Sequence, residues 1–118
     1  MNVRTWVYWC ISGTMLLACG GYPEPHDALS AAQAEVKGAE VGGANENPKA
    51  ALHVKLAKDQ IEKAQKLMGD DNEEAERLLI RAQADADLAL ALAKEAKAQN
   101  DAAEASEQVG KLRKEMSK

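Results

Sequence analysis

Residues 48–93 read PKAALHVKLAKDQIEKAQKLMGDDNEEAERLLIRAQADADLALALA, and this stretch decides the fold. Apolar residues recur at three- and four-residue spacing on both sides of the Gly-Asp-Asp segment at 69–71, which is the pattern of two amphipathic helices. Because the connection between them is short, the helices are expected to be antiparallel neighbours. The sequence therefore predicts a helical hairpin.

Local residues define where these two helices begin and end. Asn47 is expected to cap the first of the pair, with Pro48 at its first helical position. Gly69 supplies a left-handed stop. Asp71 and Glu74 have the spacing of a capping box at the start of the following helix. The acidic turn at 69–74 is therefore interpreted as the end of one helix and the N-terminal cap of the next.

Each helix of the hairpin carries one apolar stripe with heptad spacing. The stripes comprise Ala50, Val54, Ala57, Ile61, Ala64 and Met68 on one helix, and Ala75, Leu79, Ala82, Ala86, Ala89, Ala93 and Ala96 on the other. The register of a tight hairpin brings together Ala64 with Ala75, Ile61 with Leu79, Ala57 with Ala82 and Val54 with Ala86, and it places Lys63 near Glu76 and Glu62 near Arg77. Burial of apolar surface stabilises a fold by ~25 cal/mol per Å², and each alanine buries little of it. Stability must therefore come largely from the few larger residues.

A further helix is predicted upstream, from about Pro25 to Val41, with Leu29, Ala32, Val36 and Ala39 as its apolar face. It is expected to cover the leucines at 78, 88 and 92. The last helix is expected to run to roughly Gln108 and to end near Gly110, which makes it ~55 Å long against ~30 Å for its partner. The fold class is therefore all-α: an antiparallel hairpin or a three-helix coiled-coil-like bundle with an overhanging C-terminal helix.

The N-terminus resembles a lipoprotein signal peptide over residues 1–18. Arg4 precedes an uncharged apolar stretch at 6–18, which is too short for a membrane span of ~20 residues. It ends in a lipobox-like Leu16, Leu17, Ala18 and Cys19. Cys10 lies in mid-stretch behind a bulky Trp and lacks the small preceding residue that a peptidase requires.

Cleavage before Cys19 and lipidation of that cysteine would give a membrane anchor, because two or more acyl chains hold a protein stably. Residues 19–25 then form a lipidated tether, 26–109 an alanine-rich helical domain and 110–118 a basic tail. Gly20 in place of Asp, by resemblance to enterobacterial lipoproteins, implies the outer membrane, facing the periplasm. An ordinary cleaved signal peptide and an uncleaved anchor are the alternatives.

The block KLAKDQIEKAQKLMGDDNEEAERLLIRAQADADLALALAKEA at 55–96, with the lipobox ahead of it, resembles domain-of-unknown-function family 4398. In that family a helix ending in Gly-Asp precedes a pattern of the form EEA–R–L–AQADA–LA, as it does here from Gly69 to Ala89. The resemblance covers most of residues 28–105. It implies an alanine-rich envelope lipoprotein and brings no established activity.

Residue patterns typical of catalysis or metal binding are not evident in the sequence. Asp85 and Asp87 are two apart on a helix and therefore diverge, whereas a catalytic pair must converge. His26 and His53 lack ligand partners at metal-binding spacing, and His53 is expected beside Asp85. Without Arg4 the chain has 14 basic and 19 acidic side chains, a net charge of −5, which disfavours nucleic acid. We expect no enzyme activity, no metal and no cofactor.

The sequence favours a membrane-anchored envelope lipoprotein with a structural, scaffolding or partner-binding role, either with another protein or by self-association through the helices. One alternative is a periplasmic adaptor whose overhang, at about 93–116, docks into a helical groove of a partner. Another is a peptidoglycan tether through Lys118, because the murein lipoproteins are similar in outline.

Overall fold

The computed structural model describes residues 21–118, and over this range the chain forms three α-helices and no strand. The helices are α1 (His26–Val41), α2 (Pro48–Leu67) and α3 (Asn72–Met116), with one 3₁₀ turn at Ala44–Glu46 between α1 and α2. The predicted all-α class and the long C-terminal helix are confirmed, and the arrangement is a three-helix bundle.

The three helices run up, down and up, with α1 packed chiefly against α3. Near the start of α1, the Gln83 side-chain amide donates to the backbone carbonyl of Ala28 at 3.3 Å. Just past the other end of α1, Gly42 lies against Leu90. Since residue numbers rise together on the two helices, α1 is parallel to α3 and antiparallel to α2.

The core is a three-way alanine seam. Among residues 21–118, eleven of the fifteen buried core residues are alanine, and Leu79 is the one fully buried large side chain. The buried positions are Ala32, Val36 and Ala39 on α1, Ala50, Val54, Ala57, Ile61 and Ala64 on α2, and Ala75, Leu79, Ala82, Ala86, Ala89 and Ala93 on α3, with Ala44 in the 3₁₀ turn. They alternate three- and four-residue steps, so the predicted stripes are confirmed at these positions, whereas the predicted members Leu29, Met68 and Ala96 are only partly buried.

The starts of α2 and α3 are capped by side chains, as predicted. The Asn47 side-chain oxygen accepts from the backbone N–H groups of Lys49 and Ala50, at 2.9 and 3.2 Å. At the start of α3, the Asp71 carboxylate accepts from the backbone N–H of Glu74 at 3.0 Å. Such caps satisfy donors that have no partner within the helix.

The turn between α2 and α3 depends on Gly69, whose φ of 92° is left-handed as predicted. The second half of the predicted capping box is wrong. The backbone N–H of Asp71 already donates to the Leu67 carbonyl at 2.8 Å. The Glu74 carboxylate therefore turns outward and pairs with Arg77 at 2.7 Å.

The prediction that α3 ends near Gln108 and Gly110 is wrong, because the helix continues to Met116. Glycine in a helix interior costs only about 1 kcal/mol relative to alanine, which a long helix can absorb. Forty-five residues give α3 a length of ~67 Å. The basic residues at 110–118 therefore belong mostly to the last helical turns.

The expectation that α1 covers the leucines at 78, 88 and 92 is also wrong. α1 and the residue that follows it contact α3 at Gln83 and Leu90, which are seven residues apart on one flank of the α3 seam. Leu78 and Leu92 are partly buried against the core, and Leu88 is 44% exposed. Heptad spacing identified both flanks of the α3 seam, but it did not indicate against which of them α1 would pack.

The two ion pairs predicted between α2 and α3 do not form: Glu76 accepts a hydrogen bond from Tyr22 instead, and the other predicted pair is replaced by pairs within each helix. Glu62 binds Lys66 four residues away at 2.7 Å. Arg77 binds Glu73 and Glu74 of its own first turns. Exposed pairs at this spacing form without ordering a second helix, so they compete well with contacts across the seam.

The seam predicts a sharp difference between two isoleucines. Ile61 is 8% exposed, whereas Ile80 is 56% exposed. Ile61→Asp places an unpaired carboxylate in the seam and should lower the unfolding free energy by about 3 kcal/mol or more. Ile80→Asp should change it by less than about 1 kcal/mol. Urea denaturation followed by circular dichroism measures both, and equal losses would show that the assigned core face is wrong.

Candidate functional site

The lipobox residues Leu16, Leu17 and Ala18, and the proposed lipidation site Cys19, lie outside the described residues. Gly21, two residues after Cys19, is the first described residue. This places the first described residues next to the predicted anchor, so their position in the bundle shows at which end an anchor would be attached.

Residues 21–25 are held at the end of the bundle where α3 begins. The Asn72 side-chain amide donates to the Tyr22 carbonyl at 2.7 Å. The Tyr22 hydroxyl donates to the Glu76 carboxylate, and Pro25 is buried. The predicted tether is therefore ordered from residue 22 onward against the α2–α3 turn. This contact was not predicted from the sequence. The isolated Tyr22 was the one sign that a side chain of this segment could pack against the bundle.

A polar bridge joins α2 to α3 at the flank of the seam. His53 Nδ1 lies 2.8 Å from one oxygen of the Asp85 carboxylate. The Gln60 side-chain amide donates to the other oxygen at 2.7 Å. The His53 and Asp85 side chains are 26% and 19% exposed. The predicted pairing of His53 with Asp85 is confirmed, and Gln60, two turns along α2, was missed.

This bridge holds two helices together because both oxygens of Asp85 are occupied by residues of α2. Asp87, two residues on, lies instead on the side of α1, where its negative charge acts on Glu35. The two aspartates therefore diverge, as predicted. His26, the other histidine singled out, is exposed and pairs with Glu24 at 3.0 Å.

Glu35 is the least favourably placed carboxylate of the α1–α3 contact. Its Oε2 atom is buried without a hydrogen-bond partner. Burial, and then the charge of Asp87, raise the pKa of Glu35 above its ordinary value. Glu40, five residues later on the same helix, binds Lys58 of α2 at 2.6 Å. That contact holds the pKa of Glu40 below its ordinary value.

Residues 21–118 contain neither a cluster of metal-ligating side chains nor a helix that could span a membrane. No group of three or more histidine, cysteine, aspartate or glutamate side chains in this range is placed to hold a metal ion. Over the same range, no helix combines the length and hydropathy needed to cross a membrane. The acidic residues of the α2–α3 turn act in part as helix caps, in agreement with their interpretation from sequence.

The second half of α3 leaves the bundle. Ala93 is the last buried residue, and residues 97–109 and 111–118 are all exposed. We call residues 97–116 the overhang. Its large apolar side chains are accessible to solvent: Val109 is 49% exposed, Leu112 58% and Met116 80%. The overhang thus offers a long helical surface that α1 and α2 do not cover.

The molecule is therefore an alanine-seamed three-helix bundle that extends as a single uncovered helix. The chain belongs to the DUF4398 family, a domain of unknown function, whose family model matches residues 27–105. The match covers the bundle and the first half of the overhang, and it confirms the resemblance seen in the sequence. No curated protein and no solved structure matches the chain.

The polar bridge predicts unequal effects at the two aspartates. Asp85→Ala leaves His53 and Gln60 unpaired and should lower the unfolding free energy by about 1–2 kcal/mol. Asp87→Ala removes only the charge that opposes Glu35, so it should be neutral or slightly stabilising. Chemical denaturation measures the unfolding free energy of both variants. Equal losses would mean that the bridge does not join α2 to α3.

The two glutamates of α1 predict pH effects of opposite sign. Glu35→Gln should raise the thermal midpoint at pH 7 by a few degrees, because the folded state disfavours the Glu35 carboxylate. This gain should shrink as pH falls toward the ordinary glutamate pKa and the wild-type side chain takes up its proton.

The matched variant Glu40→Gln removes a carboxylate that the fold favours, so it should lower the thermal midpoint at pH 7. This loss should vanish as pH falls through the lowered pKa of Glu40. Thermal unfolding between pH 3 and pH 8 measures both variants. If Glu40→Gln raises the thermal midpoint at pH 7, or if Glu35→Gln lowers it, the folded state does not favour the Glu40 carboxylate and disfavour the Glu35 carboxylate as described.

Proposed function

We propose that this protein is a lipid-anchored component of the bacterial envelope that acts as a non-enzymatic scaffold and binds a partner through the overhang. One observation carries the proposal. The chain enters the bundle where α3 begins, and the uncovered helix leaves at the opposite end. This arrangement supports the proposal because it would keep an anchor at one end apart from a binding surface at the other.

The attachment end is defined by contacts close to the proposed lipid site. Tyr22 follows Cys19 by three residues and is joined to Asn72 and Glu76 at the start of α3. A lipid on Cys19 would therefore sit within a few residues of the α2–α3 turn. Only the few residues between Cys19 and Tyr22 would then separate a membrane from this end of the bundle.

The binding end is reached through one uninterrupted helix. Because α3 spans Asn72–Met116, the tip of the overhang lies ~67 Å from the attachment end. The first half of α3 is fixed by the seam, so the bundle sets the direction of the overhang. A scaffold requires such a fixed separation, and a short flexible tail would not provide it.

The polar groups of the bundle support a structural role. Asp85 is bound by His53 and Gln60, and its burial is partial. A carboxylate that acts as a general acid or base would have to be free to exchange a proton with a substrate. In this position Asp85 instead holds the register of α2 against α3, which keeps the overhang aligned.

The anchor is tested by changing each cysteine of the N-terminal segment in turn. In a bacterial host, the wild-type protein should fractionate with membranes, and mass spectrometry should find an acylated cysteine at its N-terminus. Cys19→Ala should leave an unprocessed chain without lipid. Cys10→Ala is the matched control, and it should be processed and acylated like the wild type.

The opposite pattern would contradict the anchor. An unmodified N-terminus at any other position, or acylation that survives Cys19→Ala, would remove the proposed attachment. A hydrolase activity abolished by one side-chain change would contradict the non-enzymatic role.

A further inference from the structure

The overhang has an apolar stripe of its own, which is distinct from the seam. It repeats at four- and three-residue steps through Ala98, Ala102, Ala105, Val109, Leu112 and Met116. The seam itself would continue through Ala96, Asn100, Ala103, Glu107, Gly110 and Lys114, where every side chain larger than alanine is polar. The apolar face of α3 therefore lies on nearly the opposite side of the helix beyond the bundle, since the stripe is displaced from the seam by two residues and each residue advances the helix by about 100°.

This rotation means that the stripe does not extend the groove in which α1 and α2 lie. Residues 101–109 are exposed throughout. A heptad stripe that includes valine, leucine and methionine is the pattern that pairs with another helix. The stripe thus requires a partner outside the bundle, and its own composition indicates which partner fits.

The charges of the overhang are separated along its length. Residues 101–107 carry three acidic side chains and no basic one, whereas residues 111–118 carry four basic side chains and one acidic one. One contact within the helix crosses this boundary, between Lys111 and Glu107 at 2.7 Å. An antiparallel second overhang would set acidic against basic at both ends, while a parallel one would set like against like.

The sizes of the apolar residues are graded in the same way. The first half of the stripe is alanine, and the second half is Val109, Leu112 and Met116. In an antiparallel pair, each small half faces a large half, which fills the space between the helices evenly. A parallel pair would place alanine on alanine at one end and crowd the larger side chains at the other.

We infer that the partner of the overhang is a second copy of this chain, paired antiparallel about a midpoint near Glu107. The inference deepens the proposed function and rests on its claim that the overhang is a binding surface. Symmetric self-association is the commonest form of oligomer. The paired stretch is only ~28 Å long, so the area that it buries falls near the lower limit for specific interfaces. The pair is therefore expected to form reversibly.

The pair would have an attachment end at each extremity. Two copies of α3 that overlap over residues 98–116 form a rod ~105 Å long. Its two bundles lie at the far ends, and a twofold axis crosses the middle. With this axis perpendicular to a membrane, both attachment ends can reach the same surface. The assembly is then a strap lying along that surface.

Photo-crosslinking of the full chain in a bacterial host tests the pairing. p-Benzoylphenylalanine in place of Val109 should give a crosslinked band of twice the chain mass. Peptide mapping of that band should find only this protein. The same probe in place of Asn100, on the opposite face of the overhang, is the matched control and should give little of this band.

The orientation is tested with the probe in place of Ala102. The antiparallel pair predicts attachment to residues 109–116 of the second copy. Attachment to residues 98–105 would show a parallel pair and overturn the inference. Equal dimer bands from the Val109 and Asn100 positions, or none from either, would overturn it as well.

Charge reversal provides a second, independent test. The Glu104→Lys/Glu107→Lys variant makes the overhang largely basic, and Lys111→Glu/Lys114→Glu makes it largely acidic. Each should lower the yield of the Val109 dimer roughly tenfold by like-charge repulsion. The fourfold variant restores the complementarity and should recover the yield. Unchanged yields in the two half-reversed variants would contradict the charge argument.

These outcomes separate the inference from the proposed function. Circular dichroism should show the same thermal midpoint for every charge variant, since the overhang lies outside the seam. If Cys19 is acylated and no dimer forms, the self-pairing is wrong and the anchor stands. If the dimer forms and Cys19 carries no lipid, the pairing stands and the anchor is wrong.

Discussion

Alanine packed against alanine at heptad spacing sets the distance between the three helices, and the other contacts depend on that distance. A methyl side chain lets two backbones approach closely but contributes little buried area. The seam therefore relies on Val36, Val54, Ile61 and Leu79 for its largest burial per side chain. It relies on close contact along its whole length for the remainder. The polar bridge at Asp85 can span α2 and α3 only because the helices lie this near to one another.

The features of the fold that depend on spacing were predictable from the sequence. The seam of the α2–α3 hairpin follows from residue identity and period alone, as does the cap at Asn47. The features that depend on a choice between similar energies were not predictable. The flank of α3 that α1 occupies is one, since both flanks carry leucines. The pairing of Arg77 is another, because partners within its own helix compete with those across the seam. The continuation of α3 through Gly110 is a third, because the small free-energy cost of glycine in a helix interior is offset by the rest of a long helix.

The candidate functional regions show the same division. The pairing of His53 with Asp85 followed from the predicted register, whereas Gln60 depends on the reach of a long side chain that no periodicity reports. The docking of Tyr22 joins two parts of the chain fifty residues apart and left no local pattern. The exposure of the overhang was implied by the unequal helix lengths. The turn of its apolar face becomes visible only when the period is followed beyond the bundle.

The most direct measurement is the unfolding free energy of Ala82→Leu, compared with that of Ala84→Leu. Ala82 is fully buried in the seam, whereas Ala84 is exposed on the same helix. A tight seam has no room for a larger side chain, so Ala82→Leu should cost about 1–3 kcal/mol, and Ala84→Leu should be close to neutral. If Ala82→Leu instead stabilises the protein, the helices are separated by space that leucine fills. The close alanine packing described for this fold would then be contradicted.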